Sequence, residues 1–295
     1  MAFTRRRDGT YLEEVPPLRR ITPYLLRSRT ASAVYFPQRI EVGDLLAWLG
    51  PVNAQRPAEE HVTVFHVLLT AIARTLRLRP EVNRFIAGRR TYQHKEISIS
   101  FIVKTSMDDD GAESEVRLVL TGYETVEQVR ALTHTAVDEK RGQVRGDDDR
   151  LVDFFARWPR PVLNGISRMV WALDYHNVLP GPLIDAIPLY TSAYVVNAGS
   201  LGIDAPFHHL YENGSASVFV SIGRIGKVPV VDEHGAVVAR DCLDVVYTLD
   251  ERATDGFYFA RTAEVFRRLV AHPELLARTD ADVEEILEGW PERGR

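Results

Sequence analysis

The clearest periodicity in the chain lies between Pro57 and Arg79. There Val62, Phe65, Leu68, Leu69, Ile72, Ala73 and Leu76 fall on one face at three-to-four spacing. Pro57 near the start and Pro80 at the end are boundary signals, so the spacing predicts a core-packed helix. Two alternating runs follow, Ile97, Ile99, Phe101 and Val103, then Val116, Leu118 and Leu120. The polar stretch Met107–Gly111 separates them and predicts an antiparallel hairpin. Its acidic triplet, Asp108 to Asp110, reads as a solvated loop, because the spacing does not suit a metal. From Glu124 to Val144 a second amphipathic helix presents Val126, Val129, Leu132, Ala136 and Val137. Upstream, residues 31–40 look like a strand, and Leu45, Leu46 and Leu49 give residues 42–49 helical spacing.

Residues 1–18 are charged and contain Pro16-Pro17, which predicts a loose arm or a late-docking strand. Residues 19–295 read as a single domain carrying a helical insertion at about 145–190. Between 151 and 190 Phe154, Phe155, Trp158, Ile166, Met169 and Trp171 mix with Arg157, Arg160 and Arg168. Prolines 159, 161, 180 and 182 predict short, broken helices there. Such an element packs on its own domain or on a neighbouring copy, and a basic, Trp-bearing helix also suits a membrane surface. The last third predicts strands at 191–197, 217–225, 228–231, 236–239 and 243–249, with a hairpin turn at Asp232–Gly235. Helices at Phe257–Ala271 and Ala281–Glu288 close the chain. Hairpins mixed with helices make the class α+β around a mixed sheet.

Composition narrows the functional classes. Of 295 residues 45% are hydrophobic, enough for a substantial core, and no apolar run approaches a membrane span. Arg5-Arg6-Arg7 is followed by polar, proline-broken sequence rather than an apolar core, so it is not a secretory signal. The chain reads as cytoplasmic. A net charge of −5 gives no footprint for nucleic acid, and the clusters at Arg5–Arg7, Arg19-Arg20 and Arg89-Arg90 read as surface. The single cysteine, Cys242, excludes an intrachain disulfide and a cysteine zinc cluster, and its alternating context predicts burial.

Three segments carry chemistry. A helix end, Leu78-Arg79-Pro80-Glu81-Val82-Asn83, precedes a strand; Gly199-Ser200-Leu201-Gly202 forms a turn; and Asp250-Glu251-Arg252-Ala253-Thr254-Asp255-Gly256 leads into a helix. In this order they resemble the catalytic domain of 2-oxoacid dehydrogenase acyltransferases, relatives of chloramphenicol acetyltransferase, over roughly residues 20–280. The resemblance implies a chloramphenicol acetyltransferase-like two-layer sandwich, a mixed sheet with packed helices. It implies a homotrimer, with larger cages open, whose active sites lie between subunits. One subunit would bring the histidine motif and its neighbour the serine turn. The substrates would be a coenzyme A thioester as acyl donor and a small-molecule thiol or hydroxyl acceptor, with no metal. No lipoyl hairpin with an Asp-Lys-Ala core stands in this sequence, so no lipoyl group is expected on it.

The departures lie at the chemistry. Where the family has its general base, a histidine, this chain has Glu251. A solvated glutamate near pKa ~4.3 is a poor base for a thiol near ~8.5, although burial can raise it. Where the family has its oxyanion-binding serine stands Gly199, and Ser200 follows. Loss of one such donor costs ~10²–10³ in rate. Ser200 either substitutes for it or merely completes the turn. Asp250, Arg252, Asp255 and Gly256 are expected to shape the motif, with Gly256 easing entry into the helix. His208 and His209, soon after the turn, are candidate replacement bases; in an extended strand they would point apart, so one at most would face a channel. His176, beside Tyr175, is a weaker candidate. Two readings remain: an acyltransferase using Glu251, His208 or His209 as base, and an inactive trimeric binding or scaffold relative.

Overall fold

The computed structural model describes residues 4–104, 113–142, 157–279 and Ile286. Its largest layer is a six-stranded mixed sheet in the order β2-β9-β8-β7-β5-β6. These strands are β2 (Ala33–Glu41), β5 (Ile97–Lys104), β6 (Glu113–Leu120), β7 (Ala193–Asn197), β8 (Val218–Val231) and β9 (Val237–Asp250). The pairings β5/β7 and β7/β8 are parallel; the others are antiparallel. A second, three-stranded sheet in the order β1-β4-β3 consists of β1 (Gly9–Tyr11), β3 (Arg84–Ala87) and β4 (Arg90–His94).

Seven α-helices fall among the described residues. They are α1 (Pro17–Leu25), α2 (Gly43–Asn53), α3 (Val64–Leu78), α4 (Val126–Gly142), α5 (Arg160–Tyr175), α6 (Gly181–Ala186) and α7 (Gly256–Ala271). The main core lies between one face of the large sheet and α3, α4 and α7, and includes Leu69, Ile72, Ile99, Val195, Val220, Val245 and Leu269. Fully burying each such side chain contributes roughly 1.5–3 kcal/mol. The opposite face is covered around Tyr194 and Phe219 by the loop carrying Leu210.

The helix expected from Pro57 begins later, at Val64, because Thr63 caps it. The Thr63 hydroxyl accepts the His66 N–H at 3.4 Å, and the His66 imidazole accepts the Thr63 N–H at 3.1 Å. The hairpin of β5 and β6 forms as the alternation predicts, with Ile99 opposite Leu118. Its turn at Met107–Gly111 lies outside the described residues, as do Phe154, Phe155 and, Ile286 excepted, the expected helix at Ala281–Glu288.

The prolines of the insertion start helices instead of breaking them. Pro159 and Pro180 occupy N-cap positions, and Pro161 and Pro182 lie in the first turns, where no backbone N–H is needed. The result is a continuous α5 in which no residue is buried. The four short strands expected near the C-terminus are two long ones, β8 and β9, joined at Asp232–Gly235. Pro229 fits this ladder because it lies in the outer part of the hairpin, with alternate positions exposed.

The small sheet was not visible in the hydrophobic pattern. Gly88 and Arg89 have φ of +54° and +60°, which gives a tight turn from β3 into β4. The sheet also holds the N-terminal segment. Arg6 is buried; it pairs with Asp8 and Asp174 at 2.9 Å each and donates to Asn177 Oδ1 at 3.0 Å. Its guanidinium stands 5.3 Å from the Phe85 ring centre. Burial alone would lower its pKa, but the Asp8 and Asp174 carboxylates outweigh that and raise it.

Candidate functional site

The motif at the end of β9 is a frame of satisfied charges. Asp250 is buried; its carboxylate accepts from the Arg252 guanidinium at 2.8 and 2.7 Å, from the Arg252 N–H at 3.1 Å and from the Ser32 hydroxyl at 3.1 Å. With its acceptor sites taken, Asp250 shapes the turn. Glu251 stands exposed, held by its backbone: its N–H donates to Ser32 O at 3.0 Å, and its carbonyl accepts from Arg19 at 2.8 Å. A second nitrogen of Arg19 pairs with Asp255 at 3.1 Å. Asp255 also caps α7, accepting the Tyr258 N–H at 2.7 Å, and that bond, then Arg19, holds its carboxyl below the usual range. Thus Arg19, which reads as surface in the sequence, grips both ends of the motif. Gly256 is a correction: a Cβ there meets nothing within 4 Å, so glycine is not what admits the chain into α7.

The serine turn lies elsewhere. Ser200 sits in a one-turn 3-10 helix, Ala198–Leu201, with its N–H on Asn197 Oδ1 at 3.2 Å and its hydroxyl donating to Asn197 O at 2.7 Å. Its single hydroxyl proton is therefore engaged inside the turn. Gly199 lies against β8, where an added Cβ would stand 2.3 Å from the carbonyl oxygen of Gly223. The position matching the family serine has no room for a side chain.

Strand register shows that one chain does not bring these halves together. Asp250 is level with Ser217, to whose carbonyl its N–H bonds, whereas Asn197 is level with Ile222. Five residues of strand separate the two levels, roughly 17 Å at ~3.3 Å per residue.

His208 and His209 lie on the far face of the sheet, outside any strand. They do not diverge as extended residues would: the rings lie 4.9 Å apart at 30°. The His208 ring stacks on Phe219 at 3.9 Å and 5°, and its carbonyl accepts the Thr248 hydroxyl at 2.6 Å. His208 Nδ1 lies 2.8 Å from His209 O, and His209 Nδ1 lies 3.0 Å from Leu210 O. Carbonyl oxygens only accept, so both Nδ1 atoms carry protons and both Nε2 atoms keep a lone pair, the tautomer a general base needs. Burial against Phe219 lowers the His208 pKa and keeps it neutral. Thr248 precedes Glu251 by three residues, so His208 lies about 10 Å along β9 from it. His176 ends α5, away from these groups.

A cavity of about 540 Å³ opens between the start of α3, β5, α4 and the serine turn. Phe65, Phe101 and Val137 give it apolar walls, and His66, His134 and Ser200 bring polar groups to it. Burial first, then His134 and Arg130, pull the His66 pKa down to about 4. This site has no counterpart among the residues singled out from sequence. Its only signal there was Thr63 three places before His66, a capping-box spacing with histidine where Glu or Gln is usual. Among the described residues no group of three His, Cys, Asp or Glu side chains could hold a metal, and no helix is long and apolar enough to cross a membrane. Cys242 is buried as its alternation predicts, with its thiol pKa raised by desolvation.

The chain matches the family described as 2-oxoacid dehydrogenases acyltransferase (catalytic domain) over residues 14–109 and 191–278. The interval between the two matched parts contains β6, α4, α5 and α6. Among solved structures it is similar to Azotobacter vinelandii dihydrolipoamide acetyltransferase, studied for a serine, a histidine and an asparagine in its catalytic mechanism. The TM-score is 0.59 at 17% identity, covering 90% of this chain and 94% of that one. The cubic core of a pyruvate dehydrogenase multienzyme complex gives 0.57 at 16% identity, with 90% and 94% covered. A chloramphenicol acetyltransferase gives 0.51 at 11% identity, with 89% and 98% covered. At these identities the likeness is one of fold. No curated protein matches the chain.

Proposed function

Because the chain belongs to the 2-oxoacid dehydrogenase acyltransferase catalytic-domain family, we propose that it transfers an acyl group from a coenzyme A thioester to a thiol or hydroxyl acceptor. The base would take the acceptor's proton as its sulfur or oxygen attacks the thioester carbonyl. Collapse of the tetrahedral intermediate would expel the coenzyme A thiolate, which recovers the proton. The observation that carries this reading is the frame around Glu251, kept by the Asp250–Arg252 pair and by Arg19 bridging Glu251 O and Asp255. A chain that had lost all use for the motif would have no need of a buried ion pair to hold it, since such pairs are a poor source of stability.

In this reading the site is completed between copies, the Glu251 end of one facing the Ser200 turn of the next, in a homotrimer. The 17 Å separation within one chain supports this, worked at ~3.3 Å per residue. So do the apolar side chains that α1 and α5 leave exposed, Leu18, Ile21, Leu25, Met169 and Trp171 among them. The base would be Glu251, or His208 or His209 in its place; Asp255 and Arg252 position rather than react.

Calorimetric titration with coenzyme A and acetyl-coenzyme A tests the reading, and absence of heat for both sinks it. Glu251→Gln is expected to lower turnover at least tenfold if Glu251 is the base. Unchanged turnover would pass the role to His208. One specific observation favours an inactive binding or scaffold relative: Ser200's hydroxyl is engaged by Asn197 O and Gly199 leaves no room for the family serine. Coenzyme A binding without any turnover would decide for that relative.

A further inference from the structure

The cavity beside the serine turn contains a donor that the transferase reading does not use. His66 Nδ1 is committed to the Thr63 N–H at 3.1 Å, and a backbone N–H can only donate. The proton of the neutral ring is therefore on Nε2. Nε2 is the far side of a ring whose Nδ1 closes the helix end, and His66 lines the cavity. Among the described residues Nε2 has no hydrogen-bond partner; its nearest aromatic neighbour is His134, with ring centres 5.7 Å apart. The charged groups around it all come from α4: His134, Arg130 and Glu127. Arg130 and Glu127 are occupied with each other at 2.7 Å.

A neutral N–H directed into an apolar space lacks an acceptor, and leaving such a donor unmet in a dry pocket costs roughly 1–3 kcal/mol. The volume of about 540 Å³ lies within the range of small-molecule sites, roughly 300–1,000 Å³. Asp138 also lines the cavity, which disfavours an anionic head group. The apolar walls call for an alkyl or aryl body, and the lone donor calls for a neutral carbonyl.

We propose that this cavity binds the acyl part of a medium-length or aromatic thioester, with His66 Nε2–H donating to the thioester carbonyl oxygen. The proposal rests on the acyltransferase reading, because Asn197, Ser200 and Leu201 of the serine turn form one wall of the same cavity. It goes further by naming the acyl class and by placing the carbonyl donor on His66. His66 thereby supplies a carbonyl donor on a chain in which Ser200's hydroxyl is turned to Asn197 O.

The test uses two probes, S-octanoyl-N-acetylcysteamine and its thioether S-octyl-N-acetylcysteamine, which lacks the carbonyl. The intact protein should bind the thioester about tenfold more tightly, the worth of one hydrogen bond. His66→Asp keeps an acceptor for the helix end and removes the Nε2 donor. In it the preference should fall to about unity, with thioether affinity changed less than twofold. Val137→Trp, filling the cavity from α4, should abolish binding of both probes. Equal affinities for the two probes in the unmodified protein overturn the proposal, whether or not the variants fold. A tenfold preference that survives His66→Asp overturns it as well. Octanoyl probe binding with no coenzyme A binding breaks the transferase reading and leaves His66 as the carbonyl donor of a binding protein. Coenzyme A turnover with neither probe bound breaks this proposal and leaves the transferase reading intact.

Discussion

Gly199→Ser would write the family's serine back into the turn, and the structure says that it destabilises instead of repairing. A Cβ at 199 stands 2.3 Å from Gly223 O, 2.8 Å from Gly223 C and 3.0 Å from Arg224 N. All three are backbone atoms of β8, which is tied into the ladder with β7 and β9 and cannot swing aside as a flexible side chain would. Overpacking of this kind costs ~1–3 kcal/mol. Replacing glycine gains ~0.4–1 kcal/mol through the unfolded chain, and only where the new side chain fits, so the clash wins. At ~2–4 °C per kcal/mol, the melting temperature should fall by roughly 2–10 °C. Gly256→Ala is the paired control, because a Cβ there meets nothing within 4 Å. It should gain ~0.4–1 kcal/mol and melt ~1–3 °C higher. Thermal denaturation of the two variants beside the parent reads both signs. If Gly199→Ser melts at or above the parent, the account of the close approach at Gly223 is refuted. Acyl transfer, measured on the folded fraction, should not rise in Gly199→Ser.

Two further outcomes follow from buried charge. Asp250→Asn leaves the Arg252 guanidinium buried without its carboxylate and should cost about 3–5 kcal/mol, read as a lower urea midpoint; a loss below 1 kcal/mol would contradict the pairing. His94, fully buried with its Nε2 on Ser215 O at 3.2 Å, is held at about 4, chiefly by burial, as is His66. Their folded pKa values lie below the unfolded value near ~6.5, so the unfolded chain binds more protons between those limits. Stability from both is present above pH ~6.5 and is lost as pH falls toward 4, so urea midpoints should decline over that window. His94→Gln should flatten the decline, and an unchanged slope would remove His94 as a cause.

What the sequence made legible follows burial. The α3 and α4 faces, the β5/β6 hairpin and the Asp232–Gly235 turn were predicted because each has an apolar stripe of one period. The small sheet was not, because Arg84–Ala87 and Arg90–His94 are short and turn on Gly88-Arg89, which is not one of the usual hairpin dipeptides. β8 and β9 read as fragments because their outer halves are exposed and carry Gly226, Pro229 and several charges. At the site, the motif around Glu251 was legible because its residues are adjacent in sequence. Arg19 was not, since it reaches Glu251 O across 232 positions. His66 was hidden for a different reason. A histidine on the apolar face of a helix looks like core, and only its bond to the Thr63 N–H shows which nitrogen carries the proton.

The pairing of Arg6 with Asp174 and Asn177 sets an order on the making of the protein. Arg6 leaves the ribosome among the first residues, yet its partners lie 168 and 171 positions later. At ~5–20 residues per second, roughly 10–30 s of synthesis pass before the helix end that receives it exists. β1 can join β4 well before that, since its partner residues end at His94. The guanidinium then has only Asp8 beside it until α5 arrives. The N-terminal segment is thus translated first and fastened among the last, and a nascent chain stalled before Asp174 would hold β1 in place without its bolt.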